Sequence, residues 1–340
     1  MDIVLACDNN FAPYCATTIA SVADHNIGTC FYLLTDNLSN ENAVKLKSMT
    51  ENMGSSLQII YVDSGLFGDF PMPSSPGLSH ISLATYFRLF IPLLLPLSVE
   101  KLIYLDCDII VRHSIAKLYD IDIEDYLLGA VYHNDKLSVN NGAFKRLHIP
   151  VEQGYFNAGV LLINLKKWRE EHIYEKSIEF LRNNSESIVN HDQDVLNVVC
   201  GKQTKMLSYT WNTMNYFFME NFRLSQDRVL KIYQKEEHTN VTDPVIIHFA
   251  SRPKPWERLC IHPFVSEFDK YLRLTPYKRI KKKKNSVGEF WNLVIKPMIL
   301  GYHRYTYIRV CGCRIYIGWL PILKSCLLYT SPSPRDVEES

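Results

Sequence analysis

Over its first 250 residues the chain alternates short apolar runs with polar breaks and helical periods. Runs at 3–6, 31–35 and 57–62 have the length and apolar content of buried strands, and 14–23 and 39–52 carry helical spacing between them. Ser39 stands where a helix cap is expected, with Asn42 near the first turn. Strands and helices alternating at this spacing predict an α/β domain with a Rossmann-like, mostly parallel central sheet flanked by helices. Residues 64–77 are rich in Pro and Gly and predict a loop, followed by a helix over 80–89. Further strands are expected at 102–105, 109–111, 128–132, along 155–165 and at 245–249, with helices opening at Lys166 and His191. The segment 133–153 is polar and aperiodic, the mark of a functional or disordered loop.

The run 102–105 ends on two carboxylates, Asp106 and Asp108, and the next apolar run begins at once. Carboxylates in such surroundings are costly unless paired, hydrogen-bonded or bound to a metal. At the C-terminal end of a strand they face the crevice in which open α/β sheets bind ligands. The alternative is a strand ending in a turn that Asp108 caps. Other residues converge on the ligand-binding reading. Cys7-Asp8-Asn9-Asn10 follows the first strand without the Gly-x-Gly-x-x-Gly pattern of dinucleotide sites. Asp8 is placed there to accept from a base N–H, with Asn10 on a ribose or phosphate; both residues serve equally well as helix caps. Arg88 lies in an apolar run, which predicts a buried or site-facing guanidinium. Asn157, Ala158 and Gly159 open the 155–165 run, where small residues let backbone approach a ligand. Asp192 and Gln193 lie in the first turn of a helix whose apolar face is Val195, Leu196 and Val199; a well-capped acidic helix start explains them as well. A strand ends at His248, and Lys254 follows six residues on, between Pro253 and Pro255. A Lys presented by so rigid a loop suits a phosphate.

Composition narrows the class. The 340 residues are 47% apolar and 21% charged with a net charge of +1, an ordinary globular balance with no global field for nucleic acid. The start reads directly into a strand, so no signal peptide is expected, and no run reaches the ~18 apolar residues that span a bilayer. Nine scattered cysteines read as reduced thiols, hence a cytoplasmic location. Cys311-Gly-Cys313 alone falls short of the four ligands a structural zinc needs.

In combination these blocks resemble glycosyltransferase family 8, retaining enzymes of the GT-A fold, and within it bacterial lipooligosaccharide α-galactosyl- and glucosyltransferases. The resemblance runs from Met1 to about Leu274. It is carried by Ile3-Val-Leu-Ala-Cys-Asp-Asn-Asn, His80-Ile-Ser-Leu-Ala-Thr-Tyr-Phe-Arg-Leu, Tyr104-Leu-Asp-Cys-Asp, Phe156-Asn-Ala-Gly-Val-Leu-Leu-Ile-Asn-Leu-Lys-Lys-Trp, Asp192-Gln-Asp and the stretch from His248 to Trp256. It implies Asp106, Asp108 and His248 as ligands of Mn²⁺ (or Mg²⁺). Ala6, Asp8 and Asn10 would be uridine contacts and Lys254 a diphosphate contact. Arg88, Asn157, Asp192 and Gln193 would lie against the donor sugar, with Ala158 among the donor-binding residues. Two carboxylates and an imidazole suit such a cation. Retention needs a carboxylate nucleophile or same-face attack. Asp192 and Gln193 are the nearest candidates for the β face; an amide is a poor nucleophile, which favours same-face attack. The chain departs from the family pattern in Phe249-Ala-Ser-Arg-Pro, where a small Gly-containing stretch is frequent.

The expected activity is therefore transfer of a galactose or glucose from a UDP-sugar to a saccharide or glycolipid acceptor in cell-surface polysaccharide assembly. Two rivals are a haloacid-dehalogenase-type phosphatase and a catalytically dead nucleotide-sugar-binding module. The first places its Asp-x-Asp near the N-terminus rather than at 106 and needs a later acidic motif absent here. The expected division is a catalytic domain over 1–274, a basic, aromatic-rich extension over 275–325, and an extraneous or disordered tail over 326–340. Six cations in 277–284, with Phe290 and Trp291 after them, predict an interfacial anchor on an anionic inner membrane face. A solvated charge run is the alternative, and 309–317 can form a small hairpin. No feature fixes an oligomeric state.

Overall fold

The computed structural model describes residues 1–63, 65, 83–133, 142–218, 233, 242–260 and 262–291, with the backbone alone of 307–310 and 313–316. The predicted loop at 64–77 (Gly65 aside), the first residues of the 80–89 helix, most of the aperiodic 133–153 segment's first half, and the tail lie outside the described residues. Strands follow the chain as β1 (Asp2–Ala6), β2 (Cys30–Thr35), β3 (Ser56–Tyr61), β4 (Lys101–Leu105), β5 (Ile109–Val111), β6 (Leu128–Tyr132), β7 (Phe156–Asn164), β8 (Thr204–Met206), β9 (Thr213–Met214) and β10 (Ile246–His248). Seven of them form one sheet in the order β3-β2-β1-β4-β7-β6-β8. All pairs in it are parallel except those of β7, which runs antiparallel to β4 and to β6.

Both faces of this sheet are covered, which is why its strands read as unbroken apolar runs. Ile103 and Leu105 of β4 join a core layer with Ile3 and Phe31, on the side packed by helix α1 (Ala12–Ala23). Leu102 and Tyr104 point the other way, into a second layer with Val4, Phe87 and Trp168. Helix α2 (Asn40–Asn52) begins as the sequence predicts, with the Ser39 hydroxyl accepting from Asn42 N–H. The 80–89 prediction resolves into a 3-10 helix over Leu83–Phe90. Its three-residue pitch puts Thr85 and Arg88 on one edge, a spacing the site uses.

A second, three-stranded sheet in the order β5-β10-β9 starts where the first ends. The pair Asp106 and Asp108 is the crossing point between them: β4 stops at Leu105, and β5 starts at Ile109. β10 pairs antiparallel with β5, setting His248 opposite Ile109, and Phe249 N–H donates to Asp108 C=O. The other edge of β5 is satisfied by α1. Val111 N–H donates to the Ser21 hydroxyl at 3.0 Å, and the Thr18 hydroxyl donates to Ile109 C=O at 2.9 Å.

The chain past Leu274 continues on the domain. Lys283 N–H donates to Trp256 C=O, Arg258 N–H to Lys283 C=O, and Glu289 pairs with Arg252 at 2.6 Å. Further on, Tyr307–Val310 and Cys313–Tyr316 pair as an antiparallel hairpin, as the pattern allows. Among the described residues no helix is long and apolar enough to cross a membrane.

Ser21→Ala leaves the buried Val111 N–H without a partner at the root of β5. It should destabilise the protein by about 1–3 kcal/mol, read from urea unfolding monitored by tryptophan fluorescence.

Candidate active site

Asp106, Asp108 and His248 converge. Their ligating atoms lie within 4.8 Å of one another. His248 Nε2 is 3.2 Å from Asp108 Oδ1 and 3.9 Å from Asp106 Oδ2. The ring is oriented from behind. Asn212 Nδ2 donates to Asn157 Oδ1, so Asn212 Oδ1 is the acceptor that meets His248 Nδ1 at 2.9 Å. That bond assigns the ring proton to Nδ1 and leaves the Nε2 lone pair facing the carboxylates. Asp108 Oδ1 is buried and has no hydrogen-bond partner. Lone pairs turned on one another in a buried spot could hold a cation, and two oxygens with an imidazole suit a divalent ion. Gly159 closes the cradle: a Cβ there would come within 2.3 Å of His248 Cε1 and 2.8 Å of Asp106 Oδ2.

Two cations already in the fold offset these carboxylates. Lys254 Nζ lies 2.5 Å from Asp108 Oδ2 and spends its other protons on the Phe249 and Ala250 carbonyls. Burial raises the Asp108 carboxyl, yet Lys254 and His248 outweigh it and hold the group well below the usual carboxylate range. Arg88, 5% exposed, binds both Asp106 and Asp192 at 2.9 Å and donates to Ala158 C=O. Its guanidinium lies 4.2 Å from the centre of the Tyr104 ring, and the Tyr104 hydroxyl donates to Asp106. Although burial opposes its charge, Asp106 and Asp192 leave Arg88 more firmly protonated than usual.

Asp192 occupies the first turn of the helix His191–Val199, just after His191 at a φ of +46°. That left-handed conformation costs a non-glycine residue roughly 1–2 kcal/mol and marks a position fixed by its surroundings. Burial pushes the Asp192 carboxyl up to about 6, while Arg88 and Thr85 pull the other way. Both of its oxygens are engaged: the Thr85 hydroxyl donates to Oδ1, and Arg88 Nε pairs with Oδ2. Gln193 is equally tied down. Its Oε1 accepts from Asn157 Nδ2 and Ala158 N–H at 3.1 Å each, and its Nε2 donates to the Tyr155 hydroxyl. Tyr155 donates in turn to Asp194, a fully buried carboxylate paired with Arg146 at 2.8 Å.

One cavity of about 390 Å³ is lined by Ala6, Asp8, Arg88, Asp106, Asp108, Asn157, Ala158, Asp192, Gln193, His248 and Lys254, so eleven of the twelve residues expected from the sequence meet. Asn10 is exposed and does not line it. Asp8 Oδ1 caps the turn after β1 by accepting from Asn10 and Phe11 N–H, the capping role foreseen for it, while the residue also faces the cavity. Sequence reading missed Tyr104, Thr85 and Asn212, and the Asp194–Arg146 pair behind Gln193. The three-residue step from Thr85 to Arg88 was readable only with the 3-10 pitch known. Asn212 belongs to a non-periodic stretch and carries no local signal.

Residues 2–260 match the family model described as glycosyl transferase family 8. General stress protein A of Bacillus subtilis is 29% identical over 286 residues, 82% of this chain and 96% of the relative. Lipopolysaccharide 1,3-galactosyltransferase of Salmonella typhimurium is 28% identical, over 78% of this chain and 76% of its own length. The crystal structure of galactosyltransferase LgtC with donor and acceptor sugar analogs superposes with a TM-score of 0.72 at 28% identity, covering 86% of this chain and 99% of that one. Its seven-stranded sheet flanked by helices has the GT-A architecture. With the match covering most of its length and every block in order, the chain belongs to glycosyltransferase family 8.

Proposed function

We propose that this hexosyltransferase moves a galactosyl or glucosyl unit, with retention, from a UDP-sugar to a saccharide or glycolipid acceptor of cell-surface polysaccharide. The observation that carries the reading is the convergence of Asp106, Asp108 and His248 in the same cavity as Asp8 and Lys254. Asp106, Asp108 and His248 would hold a divalent ion, Mn²⁺ or Mg²⁺, and that ion would supply Lewis-acid neutralisation of the charge on departing UDP. Asp8 accepts from the uracil ring. Lys254, which lies on Asp108 at the same cavity, would offer its ammonium to the diphosphate. Arg88 fixes Asp192 and Asp106 relative to each other, and Asn157 and Gln193 bound the sugar pocket.

The hydrogen bonds at Asp192 and Gln193 bear on the route by which retention would be reached. Asp192 has no idle oxygen with which to attack the sugar, and Gln193 is an amide with both ends bonded. This supports same-face attack, the acceptor hydroxyl giving its proton to the departing phosphate oxygen while the Asp192 charge faces the oxocarbenium-like sugar. The test is a hydrolysis panel of UDP-galactose, UDP-glucose and GDP-sugars with Mn²⁺ and with chelator. UDP-sugar turnover lost on chelation is the expected result. Phosphomonoester hydrolysis without it would favour the phosphatase alternative, and donor binding with no turnover the dead module.

The basic segment fits a place on the inner membrane face. Lys278, Arg279, Lys281, Lys283 and Lys284 are exposed, and Lys282 pairs with Asp269 at 2.9 Å. Exposed Ile280, Val287, Phe290 and Trp291 lie beside them. Each cation near an anionic leaflet contributes roughly 1 kcal/mol.

Asn212→Ala should weaken Mn²⁺ binding about 10–100-fold, measured by calorimetry or by the spin-resonance signal of the ion, as loss of a partner behind a ligating imidazole does. Gly159→Ala should weaken it at least as much, because the new methyl displaces two ligands together. Turnover should fall as pH drops through about 6, where Asp192 takes up a proton and loses the charge that faces the sugar. In Asp192→Asn that acid limb should be gone along with most of the activity. The protein should sediment with anionic vesicles at low salt and be released at high salt. A variant with Lys278, Arg279, Lys281 and Lys284 changed to Glu should stay in solution while keeping donor hydrolysis.

A further inference from the structure

Behind the base end of the cavity lie three thiols that the proposed transfer does not use. Cys7 stands between Ala6 and Asp8 at the end of β1, Cys107 between Asp106 and Asp108, and Cys15 in the first turns of α1. They come from three separate elements, yet their sulfurs all lie within 4.8 Å of one another. All three residues are buried, at 2%, 7% and 0% exposure for Cys7, Cys107 and Cys15. The pocket is not sealed, because Cys7 and Cys107 form part of the cavity wall. The Cys107 thiol donates to Ala6 C=O at 3.4 Å and so already bridges the two segments.

We propose that Cys7, Cys15 and Cys107 form a trigonal thiolate site for a soft d¹⁰ cation of the Cu(I), Zn²⁺ or Cd²⁺ class, and that its occupation blocks donor binding. A metal bonded at ~2.3 Å to three sulfurs in its own plane sets them ~4 Å apart, so it draws in any pair that starts further apart within the 4.8 Å that bounds the cluster. Each thiol gives its proton to solvent as its sulfur–metal bond forms; no electron is transferred. Thiolate sulfur selects soft cations, whereas the oxygen and imidazole set of Asp106, Asp108 and His248 selects harder ones. The two sites therefore discriminate between metals although Cys107 sits inside the Asp-x-Asp motif. A cation that draws Cys7 and Cys107 together moves the backbone of Asp8 on one side and of Asp106 and Asp108 on the other. Donor recognition loses its base contact and its phosphate end in one event.

The test uses Cd²⁺ on the full chain with Cys311 and Cys313 replaced by Ser, so that their thiols do not compete. One Cd²⁺ per chain should appear as an ultraviolet sulfur-to-cadmium charge-transfer band that excess Mn²⁺ does not remove. Cys15→Ser, away from the cavity wall, should abolish the band, with Cys15→Ala as a second variant and circular dichroism to show that both are folded. UDP affinity should fall at least tenfold on Cd²⁺ addition, since even one lost hydrogen bond to a charged group is worth about that, and be unchanged by Cd²⁺ in the Cys15 variants. No band, or a band that survives in both Cys15 variants, overturns the site. A band that depends on Cys15 without an effect on UDP binding overturns the blocking role. The UDP arm rests on the cavity being the donor site, the spectral arm does not, so failure of either reading is told apart.

Discussion

Taking carboxylates out of water is costly, and the architecture around Asp106, Asp108 and Asp192 is arranged to make it tolerable. Asp108 faces Lys254 and His248, while Asp106 and Asp192 share Arg88. Each of these partners comes from a different segment: the 3-10 helix, the end of β10 and the loop after it. The charges thus fix the relative positions of elements far apart in sequence. Removing one cation strands a buried anion, which is why site geometry and fold stability are inseparable here.

The two sheets solve a positioning problem. A single sheet would carry the chain past the carboxylates and leave His248 on another row. Ending β4 at Leu105 and restarting pairing at Ile109 turns the motif into a junction, and antiparallel β10 delivers its last residue to that junction. Behind it, a line of amides and hydroxyls runs from His248 through Asn212, Asn157, Gln193 and Tyr155 to Asp194. Every member has its donors and acceptors assigned by its neighbours, so the ring orientation at one end depends on a carboxylate–guanidinium pair at the other.

Most of the fold was legible in the sequence because strands buried on both faces leave unbroken apolar runs, as at 102–105, and because Ser39 marks its helix start. The site was legible for the residues whose chemistry is conspicuous beside such runs: Asp106, Asp108, His248, Lys254 and Arg88. Antiparallel β7 was not, since direction leaves no trace in an apolar run like 156–164. Asn212 and Thr85 were not, because small polar residues are common and acquire their roles only from the partners that tertiary packing brings to them. Asn10 shows the reverse: its chemistry suits a ligand contact, but the capping turn made by Asp8 leaves it facing water.

The ties between the loop 252–258 and the segment ending at Glu289 have a consequence for communication across the molecule. Arg252, two residues before Lys254, is held by Glu257 and Glu289, and Lys283 is bonded to the backbone of Trp256 and Arg258. Reciprocity in linked equilibria requires that if a ligand on Lys254 alters the grip on Glu289, a change at Glu289 alters ligand affinity by the same free energy. The basic segment and the Lys254 end of the cavity are thereby joined by one short chain of contacts, whatever surface the outer end meets.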